Sequence, residues 1–219
     1  MNLKNILLVR NTGNIIPKAP ITDNLFGMKL SGGGGPKPTY FWDFTGSNPT
    51  VDKIQQATAI TNNVTFDSVG MHCESVNAYF RTPNKIVQNA SYVVELGTMG
   101  ASGIDHHGDV AGFDYESGNG LNGLVWLRGS YWAAYVGGWE NLGVGSSADY
   151  FSDSIIELVP DATGTYQSHI SIFKDGELIK KSSNTFNPFN RYFFIGSNGY
   201  AFKNMVVKSL KIYEPEVIS

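Results

Sequence analysis

The sequence predicts an all-β chain in which two antiparallel sheets pack as a sandwich behind an extended N-terminal arm. Three observations point there. Its 219 residues are 42% apolar and 13% aromatic, with 25 glycines and only 16% charged side chains, which suits short strands and tight turns better than amphipathic helices. From Tyr40 onward, short runs rich in β-branched and aromatic residues recur at the spacing of a sandwich, and no helical period competes with them. A chain of this length buries a sizeable core, and an all-β sandwich of this size forms one domain.

The arm, residues 1–30, holds the apolar clusters Ile6-Leu-Leu-Val9, Ile15-Ile16 and Leu25-Phe26, broken by Pro17 and Pro20. That is too little apolar surface to close a core alone, so the arm is expected to order only against a partner. The alternative is an extra strand paired with its own sandwich. Charge returns at Arg10 with no small-residue cleavage pattern after it, so no signal peptide is expected. No apolar run approaches the roughly 18 residues that span a bilayer, so no membrane insertion is expected.

Residues 31–39 carry Ser31-Gly-Gly-Gly-Gly-Pro-Lys-Pro38, which neither packs into a strand nor continues a helix and is read as a linker. A phosphate-cradling loop would need Lys-Ser/Thr where Pro36 stands.

Residues 40–219 form the predicted sandwich. Its candidate strands are 78–82, 91–97, 123–128, 131–136, 154–158, 167–174, 177–182, 191–195 and 205–213. The sharpest local signal is Asp175-Gly176 between two apolar runs, which supplies the two positive-φ residues of a type I′ hairpin turn. In the last strand Leu210 and Ile212 alternate with Ser209 and Lys211, the pattern of a half-solvated antiparallel sheet.

Several motifs then occur in a telling order: Tyr40-Phe-Trp-Asp-Phe44-Thr-Gly46, then Ala78-Tyr-Phe-Arg-Thr-Pro83 ahead of Ser91-Tyr-Val-Val-Glu95. The Lys174-Asp-Gly-Glu177 hairpin, Phe194-Ile-Gly-Ser197 and Asn204-Met-Val-Val-Lys-Ser-Leu-Lys-Ile-Tyr213 close the chain. In this order the sequence resembles the concanavalin A-like lectin and glucanase superfamily, whose laminin-G-like members share its jelly roll. The resemblance implies a jelly-roll sandwich. It does not fix a function, because that superfamily holds lectins, glycosidases, adhesion modules and inert structural domains.

Retaining glycosidases need two carboxyl groups about 5 Å apart. The nearest approach, Asp114-Tyr-Glu116, has no third carboxylate at the right spacing and is read as a solvated turn. Gly118-Asn-Gly-Leu-Asn-Gly123 matches a dinucleotide fingerprint but leads into an apolar strand rather than a helix, so it is read as accidental. The single cysteine, Cys73, allows no intramolecular disulfide and is read as a small buried hydrophobe. The histidines show no nucleophile or metal pattern. No cofactor and no enzymatic activity are expected.

Two constellations remain. Asp105, Asp109, Asp114 and Glu116 crowd into twelve residues and could hold calcium, although a plain acidic loop fits their spacing better. The aromatic stretch from Trp126 carries Arg128, Tyr131, Trp132, Tyr135, Trp139 and Asn141. Sugars stack their C–H faces on aromatic rings while Arg, Glu140 and Asn side chains bind their hydroxyls, so this stretch is a candidate carbohydrate platform. The competing reading puts its large rings in the core.

Charge narrows the partners. Residues 1–40 hold Lys4, Arg10, Lys18, Lys29 and Lys37 against Asp23, a net +4, which leaves −7 on the rest of a chain of net charge −3. An acidic body argues against nucleic acid as a ligand. The expectation is a virion-type structural, decoration or fibre protein of the kind carried by bacteriophages. Its arm would join other assembly proteins or other copies of this chain, and its sandwich would recognise a host-surface glycan. The alternatives are a secreted or cell-surface lectin and, behind it, a glycoside hydrolase.

Overall fold

The computed structural model describes residues 37–75, 77–85, 89–100, 108–115, 118–127, 131–145, 147, 149–163, 166–196 and 204–215. The arm (1–30) and the run Gly32 to Gly35 lie outside the described residues. Fifteen strands and no helix are found among the described ones: β1 (Tyr40–Asp43), β2 (Ile60–Asn62), β3 (Thr65–Phe66), β4 (Met71–Cys73), β5 (Tyr79–Arg81), β6 (Ser91–Leu96), β7 (Gly108–Tyr115), β8 (Gly118–Leu127), β9 (Tyr131–Tyr135), β10 (Trp139–Asn141), β11 (Ile155–Ala162), β12 (Ser168–Lys174), β13 (Glu177–Lys181), β14 (Phe193–Gly196) and β15 (Met205–Tyr213).

They form two antiparallel sheets. One runs β13-β12-β11-β6-β15-β4-β3 with β1 also paired to β15; the other runs β10-β9-β8-β7-β14-β5-β2. Sheet neighbours are far apart in sequence: β15 closes the first sheet against β6, and β14 crosses to lie between β7 and β5. The core between the sheets is aromatic. Phe80 meets Trp42 and Phe44 edge-on at 5.4 and 5.1 Å, and Phe193 stacks on Tyr92 at 4.3 Å.

The hairpin expected at 175–176 is present, with φ of 51° at Asp175 and 85° at Gly176. Its tip is fastened to the start of β11, where the Ile155 N–H donates to Asp175 Oδ1 at 2.9 Å and the Asp175 N–H donates to the Ile155 carbonyl at 2.8 Å. In β15, Leu210 and Ile212 face the core as expected. A bulge between Val207 and Ser209 lets Val207 and Leu210, an odd spacing apart, both point inward.

The sequence predicts no strand where β1, β2, β3, β4, β7 and β10 are found. Five of these are two to four residues long, too short to show a period. β7 is eight residues long, but register shifts between Asp109 and Ala111 and between Asp114 and Tyr115 break its alternation. The reading of Asp114 as part of a solvated turn is therefore corrected: Asp114 lies in β7 and is half-buried. The Gly-x-Gly-x-x-Gly match lies within β8, in keeping with its dismissal as a nucleotide motif.

Candidate functional site

Register decides which side chains share a face, because directly opposed residues in an antiparallel ladder point the same way. One row crosses all seven strands of the second sheet: Trp139 on β10, Tyr135 on β9, Gly123 on β8, Gly112 on β7, Phe194 on β14, Arg81 on β5 and Ile60 on β2. The next residues along these strands, Ala134, Leu124, Ala111, Ile195 and Phe80, belong to the core, so the row lies on the outer face. It is exposed at its two ends and buried at the glycines. A Cβ on Gly123 would sit 2.2 Å from the Ala111 carbonyl oxygen, and one on Gly112 would sit 2.4 Å from that of Asn122, so β7 and β8 approach too closely for side chains there.

At the β9–β10 end, Trp139 is 44% exposed and its ring lies 4.6 Å from that of Tyr135 at an interplanar angle of 60°. Tyr131, two pairs along β9, faces the same way and is partly buried. Asn141 is exposed beside Trp139 on the same face, and its Oδ1 accepts the Gly143 N–H at 2.7 Å. The structure thus brings together Tyr131, Tyr135, Trp139 and Asn141 from the candidate platform.

Trp132 is corrected out of it. Its side chain is wholly buried, its Nε1–H donates to the Ser147 carbonyl at 2.8 Å, and its ring meets Phe151 edge-on at 4.6 Å. The alternation of β9 sends Trp132 and Ala134 into the core while Tyr131 and Tyr135 point out. Glu140 also turns away from Trp139. Its carboxylate accepts the N–H groups of Ser183 and Asn184, both at 2.8 Å, and pins the loop between β13 and β14. Burial raises the pKa of Glu140, but those two N–H groups and Lys180 outweigh it and leave the carboxyl below its ordinary value. Arg128 and the side chain of Trp126 lie outside the described residues.

The two described members of the acidic group lie in a strand rather than a loop. Asp109 and Asp114 both lie in β7, while Asp105 and Glu116 lie outside the described residues. Asp109 opposes Val125 and Asp114 opposes Leu121, four residues apart on β8, so their backbones stand about 13 Å apart along the strand. Calcium bonds of about 2.3–2.6 Å cannot link the two. Asp114 Oδ1 instead accepts the Tyr192 N–H at 3.0 Å, and burial raises its pKa. No cluster of three or more His, Cys, Asp or Glu able to hold a metal occurs among the described residues.

The opposite end of the row was not foreseen. Tyr79 lies 5.5 Å from Phe194, the Arg81 guanidinium stacks 4.3 Å over the Tyr192 ring, and the Lys85 ammonium lies 5.5 Å from the same ring. The only trace in sequence is the alternation Tyr79-Phe80-Arg81 about a buried Phe80. The pairing with β14, more than a hundred residues later, was not visible.

The fold and this face define a two-sheet antiparallel β-sandwich with aromatic side chains at both ends of one outer sheet face. Among solved structures it is similar to a Trypanosoma rangeli sialidase in complex with 2,3-difluoro-KDN, with a TM-score of 0.64 at 13% identity over 93% of this chain and 34% of that one. It is also similar to the binding domain of botulinum neurotoxin serotype D, with a TM-score of 0.53 at 12% identity over 83% of this chain and 48% of that one. The same toxin's ligand-binding domain in complex with N-acetylneuraminic acid gives 0.52 at 10% identity over the same shares. The chain spans about a third of the sialidase chain and about half of the toxin chain. At these identities the likeness is one of fold. No family model and no curated protein sequence matches the chain.

Proposed function

We propose that this chain is a non-enzymatic, lectin-like module of the concanavalin-like superfamily that binds carbohydrate on the outer face of its seven-stranded sheet. The observation that carries this reading is the Trp139–Tyr135 pair, which presents a half-exposed indole beside Asn141 on an edge strand. A ring held in this way offers its face to sugar C–H groups without reordering. The fold likeness to a toxin domain whose complex contains N-acetylneuraminic acid supports the same class of ligand. Asp109 and Asp114, set far apart on β7, do not share a calcium ion in this reading.

The module is further proposed to be an appended part of a virion-type assembly, joined to it by residues 1–30. A secreted or cell-surface lectin is the alternative, and genes for capsid or tail proteins beside its own would decide between them. Deleting residues 1–38 is expected to leave a cooperatively melting sandwich that no longer joins its assembly. A truncated chain that unfolds would make the arm an integral strand instead.

A glycan array probed with the full chain and with Trp139→Ala tests the binding reading. Retained folding with signal lost on the variant supports it, and unchanged binding removes the platform. Release of reducing ends from a polysaccharide panel, abolished by Asp114→Asn, would replace the lectin reading with a hydrolase.

A further inference from the structure

We infer that the second end of the same sheet face, built by β5 and β14, is a subsite for the acidic group of a charged sugar such as a sialic acid or uronic acid. The inference rests on the carbohydrate reading of this face and adds the class of sugar to it. Arg81 and Lys85 converge on one ring, Tyr192, with their charged groups 4.3 and 5.5 Å from its centroid. Neither makes an ion pair among the described residues, in a chain whose net charge is −3. The nearby carboxylate, Asp114, accepts the Tyr192 N–H at 3.0 Å and feels the positive charges of Arg191 and Lys85 without forming an ion pair with Arg81.

Arg81 Nε is buried without a hydrogen-bond partner among the described residues, so it is the two terminal nitrogens of the guanidinium that remain to meet a ligand. A guanidinium held over a ring keeps its donors in its own plane, as a fork that fits a carboxylate. Next to it, Phe194 and Tyr79 lie 5.5 Å apart and supply apolar faces for the sugar ring. Cations interleaved with aromatic rings also suit single-stranded nucleic acid, but two positive charges on an acidic body are too few to follow a phosphate backbone. Trp139 and Arg81 are five strands apart on one row, about 24 Å at the usual strand spacing, so the two ends would be reached by an oligosaccharide rather than by one sugar.

The test is an array that prints sialylated and uronate-containing glycans beside their neutral parents, probed with the full chain, followed by calorimetry on 3′-sialyllactose against lactose. The acidic partner of each pair is expected to bind about tenfold more tightly, the loss typical of a charged hydrogen bond left unmade. Arg81→Gln should erase that preference, with retained folding checked by far-UV circular dichroism. Arg81→Lys, which keeps the charge and loses the fork, should restore only part of it. Trp139→Ala should weaken both partners alike. Equal binding of acidic and neutral glycans, or a preference that survives both Arg81→Gln and Lys85→Gln, overturns this subsite and leaves the Trp139 reading standing. Binding of no glycan overturns both. Displacement of the sialylated ligand by oligothymidylate would make the patch a nucleic-acid platform and overturn it as well.

Discussion

Replacing Trp132 by alanine separates a core tryptophan from a ligand-binding one. The indole has no exposed surface, meets Phe151 edge-on at 4.6 Å and donates its N–H to the Ser147 carbonyl at 2.8 Å. Truncating a buried aromatic of this size costs about 3–5 kcal/mol once the cavity is included. Within that figure the ring pair contributes about 0.5–1.5 kcal/mol. The indole hydrogen bond contributes a similar amount, about 0.5–1.5 kcal/mol. For a domain of this size each kcal/mol moves the melting temperature by about 2–4 °C, so Trp132→Ala should melt roughly 6–20 °C below the parent. Trp132→Phe keeps most of the packing but loses the hydrogen bond to the exposed Ser147, and should lose about 0.5–1.5 kcal/mol. Far-UV circular dichroism is the right assay, because the substitution removes a fluorophore. If Trp132→Ala melts within a degree or two of the parent and abolishes glycan binding, the burial argument is wrong and the ring belongs to the platform.

Three further outcomes follow from the geometry. Gly123→Ala places a methyl 2.2 Å from the Ala111 carbonyl and 2.6 Å from Gly112 Cα, both backbone, so β7 and β8 must part. Urea unfolding should show a loss of about 1–3 kcal/mol, and an unchanged midpoint would refute the close approach. Burial pushes the Cys73 thiol up to about 12, so iodoacetamide at neutral pH should leave it unmodified in the folded chain and alkylate it in urea. Rapid labelling of the native protein would contradict its place in the core. Glu140 has a folded pKa below its ordinary value of 4.5, so its contribution to stability is complete above that pH and is lost as pH falls through the folded pKa. Glu140→Gln should lower the melting temperature at neutral pH, with the difference closing under acid; a difference independent of pH would remove the charge from the account.

The sequence by itself determined the fold class and the elements whose signals are local. Asp175-Gly176 carries its turn in two residues, and the alternation in β15 carries its buried face in two side chains, Leu210 and Ile212. Cys73 could be read as buried because nothing in the chain gave it chemistry. Tertiary structure decided the site. In the run from Trp126 to Trp139, period-two reading established that one face must be buried, but only packing against Phe151 and Ser147 showed that Trp132 belongs to the core and Trp139 to the surface. The acidic group read as a loop because bulges at Asp109 and Asp114 hide the alternation of β7. The cluster of Arg81, Lys85 and Tyr192 left almost no sequence signal, since it exists only where β14 crosses to pair with β5. Propensity and period act over a few residues, whereas the register of strands more than a hundred residues apart is set by which apolar faces can be buried together, and that is settled only when the two sheets close on one core.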